Sequence, residues 1–450
     1  MPNGELQSIR ARFLSAAQKA CNRRGVLPPP APRDFVSFEY KPLTGDINYY
    51  YAVLRVGSGP FDRIGITRVI KEQKVGQAVD GSAAAFFIHG IAHTFGTQFI
   101  IRAPDGTVDS LYPGIAPWLA NQGLDVWGID LRYTLVPSTT TVFNFMADWG
   151  MGVMRDDVLL ATRLARFARQ ETCQQRGTLH LVGQSLGAAL VYAVANEEAV
   201  SDEPDIGDMI PVEAPYQVDR NDAAALGAVR FAENLYRGPL AQGVYQLEDP
   251  ATVKFGGNQV VIAPRAAGEA ARSAPDTPSP LPGMTNKQLA LTIVRQPWFP
   301  PFSPHQAACL PDVPGIATSG RFTPTERIID FLATTVPFSP RRLMADFFGM
   351  PAGNPELPYA NHLAQVRIPS LYIGAAGGYH DWGRFTNSLL GSSDRKELIV
   401  HMLPDGQERN DLGHVEPFMA NEAPSRVWQA VLEWIRSHPS TSPAGLDQAA

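Results

Sequence analysis

Cysteine is scarce in this chain of 450 residues, and the scarcity narrows the reading at once. Cys21, Cys173 and Cys309 are an odd number at wide spacing, without a CxxC pair. They build no disulfide framework and read as packing residues in a reducing compartment. Long runs of one charge are also missing. The formal net charge is -6, and nothing resembles the basic footprint that neutralises phosphates, which argues against a nucleic-acid partner. No window approaches the run of about eighteen apolar residues that a membrane span needs. The first residues, MPNGELQSIRARFLSAAQKACNRRG, mix charges throughout instead of carrying the apolar core of a signal peptide, and read as a short amphipathic helix. A cytoplasmic protein with no membrane span is the expectation.

What the chain has is apolar bulk. With 44% apolar and 18% charged residues it can bury a large core. One large domain interrupted by an insertion suits the length as well as several domains do, because an insertion into a surface connection costs little closure entropy.

After the Pro28-Pro29-Pro30 break, the stretches 35–40 and 47–56 alternate and are rich in β-branched and aromatic residues, as antiparallel edge strands are. The apolar runs at 83–88, 124–129, 179–182 and 206–212 suit strands covered on both faces. A helical repeat over 153–169 and small apolar residues over 186–195 separate them, and strand-helix-strand is the pattern of a parallel sheet. From about residue 216 to 365 this alternation stops. Segments 262–284 and 296–314 are dense in Pro, Ala and Ser and predict loose loops among helical pieces such as 322–332 and 341–348. Trp298, Phe299 and Phe302 in this stretch read as packing residues rather than as the wall of an acyl or alcohol pocket. Sheet character returns at 368–373 and 398–403, and 424–437 forms a closing amphipathic helix. The expected organisation is thus an N-terminal helical extension over 1–34, a catalytic body over 35–215 and 366–437, a partly helical cap over 216–365, and a disordered tail over 438–450.

The pentapeptide Gly183-Gln184-Ser185-Leu186-Gly187 is weak evidence alone, but it follows a strand and opens a helix. In that setting a serine sits on a strained tight turn as a nucleophile. Acyl transfer also needs donors for the developing oxyanion: the Leu186 N–H after the nucleophile, and one from the loop His89-Gly90-Ile91-Ala92-His93, where the Ile91 N–H is the candidate. His89 reads as structural. His89 and His93 have a metal-like spacing without supporting carboxylates or cysteines, so no metal is expected. The general base belongs on a loop after the last strand, and Asp411-Leu412-Gly413-His414-Val415 puts His414 there, with His362, His380 and His401 as alternatives.

The order of strand-His-Gly, GQSLG, a cap and a late Gly-His resembles the α/β-hydrolase fold family over about residues 35–437. The resemblance implies a mostly parallel α/β sheet of about eight strands flanked by helices, a Ser-acid-His triad and ester-like substrates; it does not choose the substrate. The acid is open. Strand 206–212 ends in Glu213, while the later strand leads through Gly374 to His380 into Asp381, which comes late; Glu213 is slightly preferred. Asp411 and Glu416 read as shaping the loop of His414.

The expected activity is cleavage of a hydrophobic carboxylic ester through an acyl-enzyme on Ser185, with no cofactor. A serine at this turn does not suit dehalogenase or epoxide-hydrolase chemistry, which needs a carboxylate nucleophile. A thioesterase or acyltransferase is the alternative of the same chemistry, and a non-catalytic ligand-binding protein the alternative of another class.

Overall fold

The computed structural model of the chain describes residues 3–22, 35–173, 177–247, 251–296, 305–313 and 315–440. Its chain order begins with α1 (Asn3–Asn22), β1 (Ser37–Thr44), β2 (Ile47–Arg55), β3 (Arg63–Lys74), β4 (Gln77–Ala78) and β5 (Ala84–Ile88). Then come α2 (Phe95–Phe99), α3 (Ile115–Asn121), β6 (Asp125–Asp130), α4 (Met151–Cys173), β7 (Leu179–Gln184), α5 (Leu186–Glu198) and β8 (Ile206–Val212). These strands, with β15 (Ser370–Ala375) and β16 (Arg395–Val400), form one sheet in the order β1-β2-β3-β6-β5-β7-β8-β15-β16, with β4 on β3. Strands β6 to β16 along that path run parallel, and β1, β2 and β3 add antiparallel at one edge.

The central strands are apolar on both sides because both faces of the sheet are covered. Along β5, Ala84, Phe86 and Ile88 enter one core and Ala85 and Phe87 the other. The first core takes the apolar stripe of α1, where Ile9, Phe13 and Ala16 recur at helical spacing, together with α4 and α5. The second takes α3 and the closing helix α12 (Gln429–Ser437), which continues from a wider π turn at Pro424–Trp428. Each fully buried phenylalanine adds about 1.5–3 kcal/mol of transfer free energy. Strand β3 has no counterpart in the sequence expectations. Its pattern is broken by Arg68, which is buried and forms a bidentate pair with Asp125 of β6, at 2.8 and 2.9 Å.

Residues 213–369 all lie between β8 and β15, which are neighbours in the sheet. This insertion holds α6 (Ala223–Leu240), β9 (Gln246–Leu247), the hairpin β10 (Ala251–Phe255) and β11 (Asn258–Ile262), α7 (Pro264–Ser273) and α8 (Asn286–Arg295). It continues with the hairpin β12 (Cys309–Val313) and β13 (Ile316–Gly320), α9 (Thr325–Ala333), β14 (Ser339–Pro340) and α10 (Arg341–Ala352). Val253, Ala267, Leu289, Ile293, Ile328 and Leu332 form a core of its own. The loose loop expected over 262–284 is in part a helix. Pro264 at its first turn, a run of alanines and the Arg265–Glu269 pair four residues apart outweigh the Pro-rich and Ser-rich composition around them. Trp298, Phe299 and Phe302 lie outside the described residues, as do 441–450 of the tail; His438 packs on Trp434, with ring centroids 4.0 Å apart. No helix among the described residues is long and apolar enough to cross a membrane.

Candidate active site

Three sheet connections meet at the carboxyl ends of the parallel strands, where ligands of open α/β sheets bind. The first is the turn from β7 into α5. Ser185 caps it with φ 58° and ψ -120°, a conformation that costs a non-glycine residue about 1–3 kcal/mol. The turn is held from both sides. The Ser185 N–H donates to the Val212 carbonyl at 2.9 Å, and α5 packs so closely on β5 that a Cβ on Gly187 would stand 2.0 Å from the Ile88 carbonyl oxygen. The Ser185 hydroxyl faces a cavity of about 460 Å³ and has no hydrogen-bond partner among the described residues.

The second connection leaves β8. Glu213, fully buried and also at positive φ (59°), extends the sheet by donating its N–H to the Ile373 carbonyl. Its carboxylate accepts from the Ala375 and Tyr379 amides at 2.5 and 2.9 Å, and Oε2 stands 3.0 Å from His414 Nδ1. The third connection follows β16. The His414 N–H donates to the His305 carbonyl at 2.9 Å, and the Tyr379 ring meets the imidazole edge-on at 5.1 Å. His414 Nε2 points away from Glu213 and lies 3.2 Å from the Gln184 side-chain amide. The structure therefore brings Ser185, His414 and Glu213 to one site, although no Ser185–His414 hydrogen bond is made, as is common before substrate tightens such contacts. Asp381 opens α11 (Asp381–Ser388), and its side chain lies outside the described residues.

Beside the serine runs the loop after β5. The Ile91 and Leu186 amides find no acceptor among the described residues, and both residues line the cavity. Ala92 has φ 65°, and its carbonyl accepts from Val336 of the insertion at 2.8 Å, tying the loop to that segment. His89 has both ring nitrogens occupied, by the Gly90 carbonyl and the Leu131 N–H, a structural role. His93 stacks on Phe331 of α9 at 3.8 Å, its buried Nδ1 has no hydrogen-bond partner among the described residues, and burial, with His89 and His414 nearby, pushes its pKa down to about 3. It is a neutral polar group in the cavity wall. The other histidines weighed as bases, His362, His380 and His401, do not line the cavity. His401 follows β16 rather than lying inside a strand, and is exposed.

Asp411 and Glu416 brace the loop of His414. Asp411 accepts from the Met402, Leu403 and Leu412 amides. Glu416 Oε2 accepts from Ala308 and Gly413 at 3.0 and 2.6 Å, and Oε1 lies 2.8 Å from the Thr323 hydroxyl. Burial pushes the Glu416 carboxyl up to about 7 against these hydrogen bonds. A raised carboxyl pKa means that the unfolded chain ionises first as pH rises. Stability is then full below the unfolded value of 4.5 and falls by about 3 kcal/mol on the way to pH 7. Glu416→Gln, which keeps one oxygen for the two amides, is expected to flatten this slope in denaturant titrations between pH 4.5 and 7, whereas Glu416→Ala should cost about 2–4 kcal/mol at the acid end of that window by orphaning them, and less toward pH 7, where the wild type has lost the contribution of its neutral carboxyl. An unchanged slope in Glu416→Gln would contradict this.

Gln184 and Gln98 are residues that sequence reasoning missed. Gln184 sits inside the pentapeptide, but no spacing marks it, and Gln98 lies in a five-residue helix with no motif. Among the described residues, no group of three or more His, Cys, Asp or Glu could hold a metal ion.

Against solved structures, the chain is similar to a candidate lipase from Sulfolobus solfataricus, at 16% identity over 90% of this chain and 99% of that one, with a TM-score of 0.58. It is similar to a soluble variant of monoglyceride lipase from Saccharomyces cerevisiae in complex with a substrate analogue, at 11% identity over 92% and 97%, with a TM-score of 0.46. An epoxide hydrolase solved without ligand matches at 10% identity over 86% and 99%, with a TM-score of 0.45. At these identities the likeness is one of fold, and of the three the first carries it. No protein-family model and no curated protein matches the chain.

Proposed function

The chain has the α/β-hydrolase fold, and on that scaffold we propose that it is a serine hydrolase of neutral, hydrophobic carboxylic esters. The observation that carries the reading is Ser185, held in a strained turn, its hydroxyl without a partner among the described residues, lining the cavity that His414 also lines. His414 Nε2 takes the Ser185 proton as Oγ attacks the ester carbonyl, and Glu213 stabilises the imidazolium that forms. The Ile91 and Leu186 amides receive the oxyanion. Collapse expels the alcohol, which takes the proton from His414, and water then releases the acid by the same steps.

The insertion serves as a cap. Leu247, Phe331, Leu332, Phe338 and Phe347 give the cavity apolar walls, and its volume suits a small amphiphilic ester. A coenzyme A thioester would bring several phosphates, and the one cation among the described lining residues, Arg265, is already paired with Glu269 at 2.7 Å. Parallel assays with p-nitrophenyl esters and acyl-CoA thioesters are expected to give at least a tenfold higher kcat/KM for the esters. A tenfold preference for the thioesters would overturn the substrate class.

A further inference from the structure

Four groups form a buried hydrogen-bonded chain behind the nucleophile. The Gly90 N–H donates to Gln98 Oε1 at 2.7 Å, Gln98 Nε2 to Gln184 Oε1 at 2.6 Å, and Gln184 Nε2 to the His414 carbonyl at 3.0 Å. Both glutamines are buried, 3% and 2% exposed, and the fit is close, since a Cβ on Gly90 would stand 2.6 Å from Gln184 Oε1. The two ends of this chain fix its polarity. A backbone N–H can only donate and a backbone carbonyl can only accept, so each amide between them must turn its oxygen toward Gly90 and its nitrogen toward His414. The second hydrogen of the Gln184 amide is then directed at His414 Nε2, 3.2 Å away, and that nitrogen must offer its lone pair.

We propose that Gln184, anchored by Gln98, is a positioning residue that selects the Nδ1–H tautomer of His414 and keeps the Nε2 lone pair free of a proton. The inference rests on the reading of Ser185, His414 and Glu213 as a hydrolytic site. A proton on Nδ1 donates to Glu213, which is the tautomer a general base needs, and Gln184 enforces it from the opposite side of the ring. In the other tautomer an Nε2–H would meet the Gln184 N–H donor to donor, so the amide disfavours it. Gly90 precedes Ile91, and one rigid chain thereby sets both the base and the backbone of the proposed oxyanion loop.

The other titratable groups around the ring are accounted for. Glu213 faces Nδ1, Tyr379 presents its ring to the imidazole, and His93 stands in the cavity wall, neutral. His305 contributes its backbone carbonyl, and Asp411 and Glu416 are turned toward backbone amides.

Gln184→Met and Gln98→Met keep volume and remove the donor or its anchor. The ¹⁵N shifts of the neutral His414 ring, recorded by NMR in the full chain with ¹⁵N-labelled histidine, are expected to show a larger Nε2–H tautomer fraction in both variants. Thermal unfolding identifies a variant that fails to fold, and the other then carries the test. A His414 tautomer fraction unchanged in a folded variant, or moved further toward Nδ1–H, would overturn the proposal. NMR needs no turnover, so an absence of hydrolysis would sink the functional reading while leaving the tautomer measurement to decide this one.

Discussion

Glu213→Gln is expected to lower kcat by about 10³–10⁴-fold with little change in KM, an effect like that of a buried triad carboxylate turned into an amide elsewhere. The reason lies in the donors that converge on it. Ala375, Tyr379 and His414 all present hydrogens to the two oxygens, and an amide can accept at only one of them. If its nitrogen faces His414, the imidazole must take the wrong tautomer; if it faces Ala375, two N–H groups oppose each other at short range and the negative charge is still gone. Some loss of stability, about 1–3 kcal/mol, should accompany either arrangement. Asp381→Asn should leave kcat within about threefold, because the Nδ1 side of His414 is already occupied by Glu213. Steady-state kinetics on the two variants decide the matter, and an inactive Asp381→Asn beside an active Glu213→Gln would reassign the acid.

Ser185→Ala should remove nearly all turnover, about 10⁴–10⁶-fold in kcat, since it deletes the only atom that forms the acyl bond. The variant should fold, because alanine is no worse than serine at φ 58° and the Val212 and Ala189 backbone hydrogen bonds do not involve the side chain. Binding of a slowly hydrolysed ester analogue, measured by calorimetry, should persist within a few-fold, because uniform binding does not depend on the nucleophile. Full turnover in this variant would remove Ser185 from the mechanism.

The legible part of this chain was the part whose pattern follows from burial on both faces. Strand 206–212 is observed as β8 without shift, run 83–88 differs from β5 by one residue at its start, and run 124–129 differs from β6 by one residue at each end. Strand β3 was illegible because its inward positions include Arg68, whose charge is neutralised by a partner 57 residues away that no local period shows. Helix α7 was hidden by averaging composition over a window twice its length. At the site, Ser185 and His414 could be read because their positions relative to strands are constrained. The acid could not be settled, since a carboxylate follows each strand, Glu213 directly after β8 and Asp381 beyond the loop after β15, and only the folded chain shows that Glu213 receives amides from Ala375 and Tyr379. Gln98 carried no signal at all. Its importance comes from lying between a backbone donor and Gln184, 86 positions further along.

Labelling with a fluorophosphonate tests the central claim most directly. Folded wild-type protein should gain one adduct, located on the peptide carrying Ser185 by mass spectrometry, and Ser185→Ala should gain none. Folded wild-type protein that stays unmodified at Ser185 after prolonged exposure would contradict the account.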